Sequence, residues 1–238
     1  MNSIVNQEYE NLIDSLIQDG YLKTLEIIEA FRAVDRINFV SEEYKNEAYI
    51  NAPLPIGFGQ TISQPLTVAF MIELLGPKSG EHILEIGAGS GWQTAILSYL
   101  ADKDSDKNIL EKNDISEAEN SVNSEKPAPK VIAIERIPEL KEMAEKNVSK
   151  YNFIEKGITS VILADGSKGY KPAEFYDKII CGAASSGDVP GEWRKQLKIG
   201  GRIVAPVDNS IVVIDKLAKN EYSQKEYFGF SFVPLIKE

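Results

Sequence analysis

The sequence predicts a doubly wound α/β fold with seven strands in a mostly parallel sheet. From residue 81 onward, short runs of β-branched residues alternate with helical patterns, which is typical of a parallel sheet with helices on both faces. Five such runs are present: HILEI, VIAIE, SVILAD, YDKIIC and GRIVAPV. Two further runs, SIVVIDKL and KEYFGFSFVPL, are separated by only seven residues. Because that connection is too short for a crossover helix, the last strand is expected to run antiparallel to its neighbour.

Residues 1–80 are predicted to form an N-terminal helical extension and a loop, both packed on a core of residues 81–238. Apolar residues recur at intervals of three and four on either side of Gly20, which indicates two amphipathic helices. Their apolar positions are Leu12, Ile13, Leu16, Ile17, Leu25, Ile28, Phe31 and Val34. The stretch PLPIGFGQTISQP, residues 53–65, has too many glycines, prolines and small polar residues for regular secondary structure and is predicted to be a loop. The chain is expected to fold as one compact unit.

Residues 102–130 are predicted to be a charged surface insertion in the core. The segment carries eight acidic and five basic residues, no aromatic residue and four large aliphatic residues. Such a composition cannot bury enough apolar surface to fold alone. A contact segment for a partner is the functional alternative to a solvated insertion.

The composition argues against several classes of function. The 238 residues include 26 basic and 36 acidic ones, a formal net charge of −10, so no long-range field draws the chain to nucleic acid or to an anionic membrane. We find neither a membrane-spanning apolar stretch nor a signal-peptide layout, which predicts a cytoplasmic protein. One histidine, His82, and one cysteine, Cys181, leave no zinc-ligand spacing, so no metal site is expected. Cys181 lies in an apolar run and is predicted to be buried.

The strongest chemical signal is a glycine-rich turn between the first core strand and the following helix. In ILEIGAGSGWQTAIL, Gly87, Gly89 and Gly91 allow a sharp turn and the close approach of a ligand, while the start of the helix offers unpaired N–H groups. A dinucleotide fingerprint would need glycine at position 92, where this chain has tryptophan. The turn therefore favours a nucleotide-like cofactor without a pyrophosphate.

Acidic residues end the next two predicted strands. Glu135 ends VIAIE, where its carboxylate can accept hydrogen bonds from both hydroxyls of a ribose. Asp165 and Gly166 end VILADG, where a carboxylate beside a tight turn can accept a hydrogen bond from an adenine amino group. Each feature alone is common in plain turns. Because the carboxyl ends of parallel strands converge on one crevice, their joint occurrence indicates a cofactor site there.

These features resemble the seven-stranded, Rossmann-like methyltransferases that use S-adenosyl-L-methionine, and more specifically the protein-L-isoaspartate O-methyltransferase family. The similarity covers nearly the whole chain outside the insertion. It rests on IEAFRAVDRINFV, AYINAPLPIGFGQTISQP, LEIGAGSGWQTAIL, IERIPEL, ADGSKGY, GAASSGDVP, LKIGGRIVAPV and FVPL. The block at residues 48–65 is the most specific, since generic methyltransferases have nothing like it.

The resemblance implies a set of site residues. The cofactor, S-adenosyl-L-methionine, would be bound by Ile62, Gly87, Ala88, Gly89, Gly91, Glu135, Arg136, Asp165 and Gly166. The substrate would contact Pro53, Leu54, Ile56 and Gln60, and Ser63 would be the active-site residue. From the residues alone, Ser63 could equally be the N-cap of a helix with Pro65 in its first turn.

The resemblance also implies the reaction. A monomer would methylate the free carboxylate of L-isoaspartyl residues, and as a second candidate D-aspartyl residues, in damaged proteins and peptides, which starts repair through a succinimide. Two alternatives stay open: a related carboxylate O-methyltransferase with another peptide substrate, and a cofactor-binding adaptor without catalysis. Asp208 stands where the family usually has glycine, and the segment 208–212 is short. The substrate side is therefore where this chain is expected to differ from the family.

Overall fold

Three helices and a small hairpin form the N-terminal part of the chain. The computed structural model describes residues 7–102, 129–171 and 175–236, so the predicted insertion at 102–130 lies outside the described residues except at its ends. The elements are helices α1 (Gln7–Gln18), α2 (Leu25–Ala33) and α3 (Pro65–Leu75) and strands β1 (Leu54–Gly57) and β2 (Gln60–Ile62). The two predicted amphipathic helices are confirmed as α1 and α2. Two short 3₁₀ turns, at 36–39 and 42–47, lead from α2 towards the hairpin.

The prediction that residues 53–65 form a loop is wrong, because β1 and β2 pair as an antiparallel hairpin. Phe58 and Gly59 connect the two strands with φ angles of 54° and 69°, the left-handed backbone that tight hairpin turns require. Buried Leu54 and Ile56 alternate with exposed neighbours, as in a strand with one face on the core. The high content of glycine and proline masked that alternation.

A seven-stranded sheet forms the centre of the fold. Its strands are β3 (Ile83–Ile86), β4 (Val131–Glu135), β5 (Thr159–Leu163), β6 (Tyr176–Cys181), β7 (Leu197–Val207), β8 (Ser210–Ala218) and β9 (Glu221–Phe228). They lie in the order β5-β4-β3-β6-β7-β8-β9. Strands β3 to β7 are parallel, and β8 is antiparallel to both of its neighbours. The predicted mostly parallel sheet, with its last strand antiparallel to the neighbour, is therefore confirmed.

Helices cover both faces of this sheet. The remaining helices are α4 (Trp92–Ala101), α5 (Pro138–Ser149) and α6 (Gly191–Gln196). Helices α1 to α5 pack over one face in a core that contains Ile83 and Ile96, whereas α6 buries Trp193 in a core with Leu84 on the other face. Successive strand residues point to opposite faces, which is why Ile83 and Leu84 lie in different cores. None of the helices in the described ranges is long and apolar enough to span a membrane.

The carboxyl ends of β3, β4, β5 and β6 lie along one edge of the sheet, because these four strands are parallel neighbours. Cys181 ends β6 and is fully buried, which confirms the prediction for this residue. Burial raises the pKa of its thiol to about 12, so the sulfur stays protonated and unreactive at neutral pH. The edge above these strand ends holds the candidate site.

Candidate active site

A cleft opens at the carboxyl ends of β3, β4, β5 and β6, between the sheet and the hairpin of β1 and β2. It encloses about 930 Å³, open solvent at its mouth included. Nine of the residues that the sequence singled out line it: Gln60, Ile62, Ser63, Gly87, Ala88, Gly89, Glu135, Arg136 and Gly166. The remaining predicted residues, Gly91, Asp165, Pro53, Leu54 and Ile56, are not part of the lining.

The glycine-rich turn forms the floor of the cleft. The N–H groups of Gly87 and Ala88 both donate to the carbonyl oxygen of Ile134, at 2.8 and 3.0 Å, which ties the turn to the end of β4. Gly91 has a different function. A Cβ atom there would lie 2.9 Å from the carbonyl oxygen of Ala144, so the glycine allows α4 to approach α5 closely.

Glu135 is held rigidly at the side of this turn. One carboxylate oxygen accepts from the N–H of Gly89 at 3.0 Å, and the other accepts from the N–H groups of Arg136 and Ile137 at 2.8 and 3.0 Å. The side chain is only 5% exposed. A carboxylate has about four lone-pair sites, of which the main chain uses three, so the oxygen that accepts from Gly89 can still accept from a ligand. The carboxylate is therefore fixed in place with capacity for one further hydroxyl donor.

At the end of β5, Gly166 lines the cleft, and Asp165 is not among the lining residues. The Asp165 carboxylate accepts from the N–H of Ser167 at 2.9 Å and lies 3.1 Å from the Lys168 ammonium, so it caps the short turn that follows. The predicted hydrogen bond from an adenine amino group to the Asp165 carboxylate stays a prediction. Gly166 packs tightly against Ile86, and a Cβ atom at position 166 would clash with that side chain.

The hairpin places Ser63 at the opposite wall. Gln64, not Ser63, is the N-cap of α3, which begins at Pro65, so the alternative interpretation of Ser63 as a helix cap is wrong. The Ser63 hydroxyl makes no hydrogen bond within residues 7–102, 129–171 and 175–236, whereas its carbonyl oxygen accepts from Arg36 at 3.2 Å. Ser63 therefore lines the cleft with a hydroxyl that is free to bind a ligand and a main chain that is held in place.

The predicted substrate residues divide into two groups. Gln60 lines the cleft, and Pro53 is exposed at the start of the hairpin. Leu54 and Ile56 are 3% and 5% exposed and anchor the hairpin in the core. The Cδ1 atom of Ile56 lies 3.5 Å from where a Cβ atom on Gly89 would be, so it supports the glycine turn.

Sequence reasoning missed the C-terminal wall of the cleft. Residues 233–236 line it, because the N–H of Ala184 donates to the Val233 carbonyl and the N–H of Leu235 donates to the Ala184 carbonyl, at 2.8 and 2.7 Å. In the sequence, the FVPL segment is only a point of resemblance to the family. Nearby, the short segment at 208–212 is explained by a two-residue turn, in which Asp208 has a φ angle of 51°.

Glu85 is a second carboxylate that the sequence reasoning did not single out. It is fully buried in β3, beneath the glycine turn. One of its oxygens accepts from the side-chain amide of Gln93 at 3.0 Å, and the other has no hydrogen-bond partner among the described residues. Burial raises the pKa of the Glu85 carboxyl to about 8. The group is therefore mostly protonated at neutral pH, which keeps an unpaired charge out of the core.

Comparison with known families agrees with this geometry. The family described as Protein-L-isoaspartate(D-aspartate) O-methyltransferase (PCMT) matches residues 7–238. The chain belongs to this family. It is 36% identical to the protein-L-isoaspartate O-methyltransferase of Methanopyrus kandleri over 241 residues, which is 100% of this chain and 95% of the relative. It is 38% identical to that of Staphylothermus marinus over 242 residues, which is 100% of this chain and 98% of the relative.

A solved structure described as a protein-L-isoaspartate O-methyltransferase from Plasmodium falciparum, in complex with S-adenosyl-L-homocysteine, has the same fold. The TM-score is 0.77 at 22% identity, over 97% of this chain and 99% of the other. At this identity the similarity supports the fold, including the helices before the sheet.

As a protein-L-isoaspartate O-methyltransferase, the chain uses S-adenosylmethionine to methylate isoaspartyl residues for protein repair. The cleft fits that cofactor. Glu135 presents a fixed carboxylate oxygen for a ribose hydroxyl, and Gly87 and Gly89 add no side chain to the floor of the cleft. Ile86, Ile137 and Leu140 add an apolar lining suited to an aromatic base.

Proposed function

We propose that the protein-L-isoaspartate O-methyltransferase reaction takes place between Ser63 and the glycine turn, with the Ser63 hydroxyl orienting the isoaspartyl carboxylate. The observation that supports this proposal is the position of Ser63. The residue lines the same cleft as Glu135, its hydroxyl has no hydrogen-bond partner within the described ranges, and Arg36 holds its main chain. A hydroxyl in this state can donate to a carboxylate oxygen without breaking an existing bond.

The chemistry suits a site with few titratable groups. When bound, S-adenosylmethionine supplies a methyl group on a sulfonium. A substrate carboxylate with a reference pKa of about 3.9 is already ionised at neutral pH, so its oxygen needs no general base. The protein must therefore align the oxygen and exclude water. Ser63 would align it, and the hairpin of β1 and β2 would cover the reacting atoms.

We assign the cofactor contacts to the lining residues Ile62, Gly87, Ala88, Gly89, Glu135, Arg136 and Gly166. Gln60 and residues 233–236 would border the substrate. The substrates would be damaged cytoplasmic proteins and peptides that carry L-isoaspartyl or D-aspartyl residues. We propose a monomer as the active form.

Two substitutions test these assignments against each other. We expect Ser63→Ala to lower turnover about 100-fold, because a poorly aligned nucleophile loses that much rate, and to leave the cofactor Kd unchanged. We expect Glu135→Gln to weaken cofactor binding by about 10-fold or more, since a hydrogen bond to a charged acceptor contributes about 1.5–3 kcal/mol. Transfer of a labelled methyl group to an isoaspartyl peptide measures the first, and calorimetric titration with S-adenosylhomocysteine measures the second.

The same peptide with normal aspartate is the substrate control and should remain unlabelled. Parent-like turnover by Ser63→Ala would refute the role of Ser63. An unchanged cofactor Kd in Glu135→Gln would refute the ribose contact.

A further inference from the structure

Arg36 is a buried cation that holds four main-chain carbonyl groups together. It lies in the 3₁₀ turn after α2 and is fully buried. One terminal nitrogen donates to the carbonyl oxygens of Ala48 and Ile50, at 2.6 and 3.3 Å. The other donates to those of Ala52 and Ser63, at 2.9 and 3.2 Å. Residues 48–52 and residue 63 are thus tied to one guanidinium.

The same guanidinium lies over the tryptophan that follows the glycine turn. Its carbon is 5.4 Å from the centroid of the Trp92 ring, within the range of a cation–π contact. Trp92 lines the cleft and begins α4, and its indole N–H donates to the carbonyl oxygen of Val34 at 3.1 Å. Arg36 therefore connects the main chain of Ser63 to the element that carries the cofactor floor.

If its only role were to stabilise the fold, a buried arginine would be an unfavourable choice. A buried charge is unfavourable unless it is fully hydrogen-bonded, and apolar residues of similar volume often stabilise a core better. The Nε atom of Arg36 has no hydrogen-bond partner among the described residues. Burial lowers the pKa of the guanidinium to about 10, so it is still charged at neutral pH. The guanidinium supplies N–H donors in a fixed planar arrangement that reaches four carbonyl oxygens at once.

A second set of hydrogen bonds, at the surface, joins residues 48–52 to the residues that follow Ser63. The side-chain amide of Gln64 donates to the carbonyl oxygen of Asn51 at 2.9 Å, and the side-chain oxygen of Asn51 accepts from the N–H of Leu66 at 3.0 Å. These bonds flank Ser63 on its C-terminal side. Segment 48–52 is thus hydrogen-bonded to Arg36 and to the residues after Ser63, and these bonds hold the main chain of Ser63 in place.

We propose that Arg36 is a positioning residue for methyl transfer, which holds Ser63 at a fixed distance from the cofactor floor by tying its main chain to segment 48–52 and to Trp92. This inference rests on the proposed role of Ser63. Arg36 touches neither substrate nor cofactor; it acts through the placement of the Ser63 hydroxyl.

A double-mutant cycle tests the inference. Turnover and cofactor Kd are measured for the parent, Ser63→Ala, Arg36→Lys and the double variant. Lysine keeps the charge but cannot reach four carbonyls. We expect Arg36→Lys to lower kcat about 100-fold, as for a misplacement of about 1 Å, with an unchanged cofactor Kd. Adding Ser63→Ala to Arg36→Lys should then lower kcat further by much less than it does in the parent.

Arg202→Lys is the matched control. The Arg202 guanidinium donates to the Leu74 carbonyl oxygen at 2.7 Å and to the Asp215 carboxylate at 2.6 and 3.2 Å, near the amino end of β6 and away from the cleft. We expect Arg202→Lys to lower the melting temperature. In the Arg202→Lys background, Ser63→Ala should still lower kcat as much as it does in the parent. If the role of Arg36 were purely structural, Arg36→Lys would behave as Arg202→Lys does: the melting temperature would fall and the effect of Ser63→Ala on kcat would be undiminished.

The outcomes separate the two proposals. If Ser63→Ala alone has parent turnover, the proposed function of Ser63 fails. If Ser63→Ala is impaired but its effect is undiminished beside Arg36→Lys, or if Arg36→Lys keeps the parent kcat, the inference about Arg36 is overturned. If Arg36→Lys does not fold, Asn51→Ala replaces it in the same double-mutant cycle. A lower kcat of Asn51→Ala, with a reduced effect of Ser63→Ala beside it, supports the inference that segment 48–52 positions Ser63. An unchanged kcat of Asn51→Ala overturns that inference.

Discussion

At the scale of single residues, two glutamates on adjacent strands differ in their hydrogen-bonding state. Glu135 receives three main-chain hydrogen bonds and faces the cleft. Glu85 is fully buried and accepts a hydrogen bond from Gln93. Neither state could be read from the glutamate itself, because it depends on the groups that surround each side chain.

The buried Glu85 should make stability depend on pH. Burial raises its pKa from 4.5 to about 8, so between these values the folded protein binds a proton that the unfolded chain has lost. This contribution to stability is complete below pH 4.5 and is lost as the pH rises to 8. Since one pKa unit corresponds to about 1.4 kcal/mol, the loss is on the order of a few kcal/mol. We expect Glu85→Gln, without cofactor, to lose less stability than the parent between about pH 6 and about pH 8.5 in urea denaturation. Equal losses in the two proteins would contradict this prediction.

At the scale of elements, the third glycine of the turn controls how two helices pack. Gly91 has a φ angle of 85° and precedes α4 directly. A Cβ atom there would lie 2.9 Å from the Ala144 carbonyl oxygen and 3.1 Å from Cγ2 of Val148, both in α5. The absence of a side chain at Gly91 therefore sets how closely the start of α4 packs against α5.

Gly91→Ala should therefore destabilise the protein more than the same change at an ordinary left-handed glycine would. An alanine with positive φ costs about 1–2 kcal/mol, and overpacking against α5 adds about 1–3 kcal/mol. Gly157→Ala is the control, because Gly157 has a φ angle of 73° but no atom lies within 4 Å of the position that its Cβ would take. Urea denaturation of both variants measures the two free energies of unfolding. Equal losses of unfolding free energy in the two variants would show that α5 accommodates the added methyl group without a cost in free energy.

At the scale of the whole molecule, the N-terminal helices and the sheet share one core. Leu16 of α1 and Phe31 of α2 lie in the same buried cluster as Ile83 of β3 and Val204 of β7. We propose that residues 1–80 and the core of residues 81–238 unfold as a single unit. The smaller cluster on the other face of the sheet should unfold with them, because both are built on the same strands.

The two tryptophans of the chain provide the test. Trp92 lies in the larger core and Trp193 in the smaller one, on the opposite face of the sheet. In Trp193→Phe the fluorescence reports Trp92, and in Trp92→Phe it reports Trp193. We expect the fluorescence transition to coincide with the far-ultraviolet circular dichroism transition in each variant, as in two-state unfolding. Separate midpoints within either variant would show that the layers unfold independently.

Local and periodic features of the sequence determined the fold class and the cofactor side of the cleft. The alternation of strand and helix patterns predicts a parallel sheet, and parallel strands must end at one edge, so Gly87, Gly89, Glu135 and Gly166 could be brought together from the sequence. These inferences hold because the directions of neighbouring strands follow from the lengths of their connections.

The tertiary structure alone decided the rest. It turned Asp165 into the cap of a turn, gave Gly91 a packing role, brought residues 233–236 to Ala184 and placed the Arg36 guanidinium beneath Ser63. None of these contacts follows from periodicity, since each depends on which side chain fills a gap between elements far apart in the chain. Close packing selects that side chain by shape and hydrogen-bonding capacity, and these are properties of the assembled core.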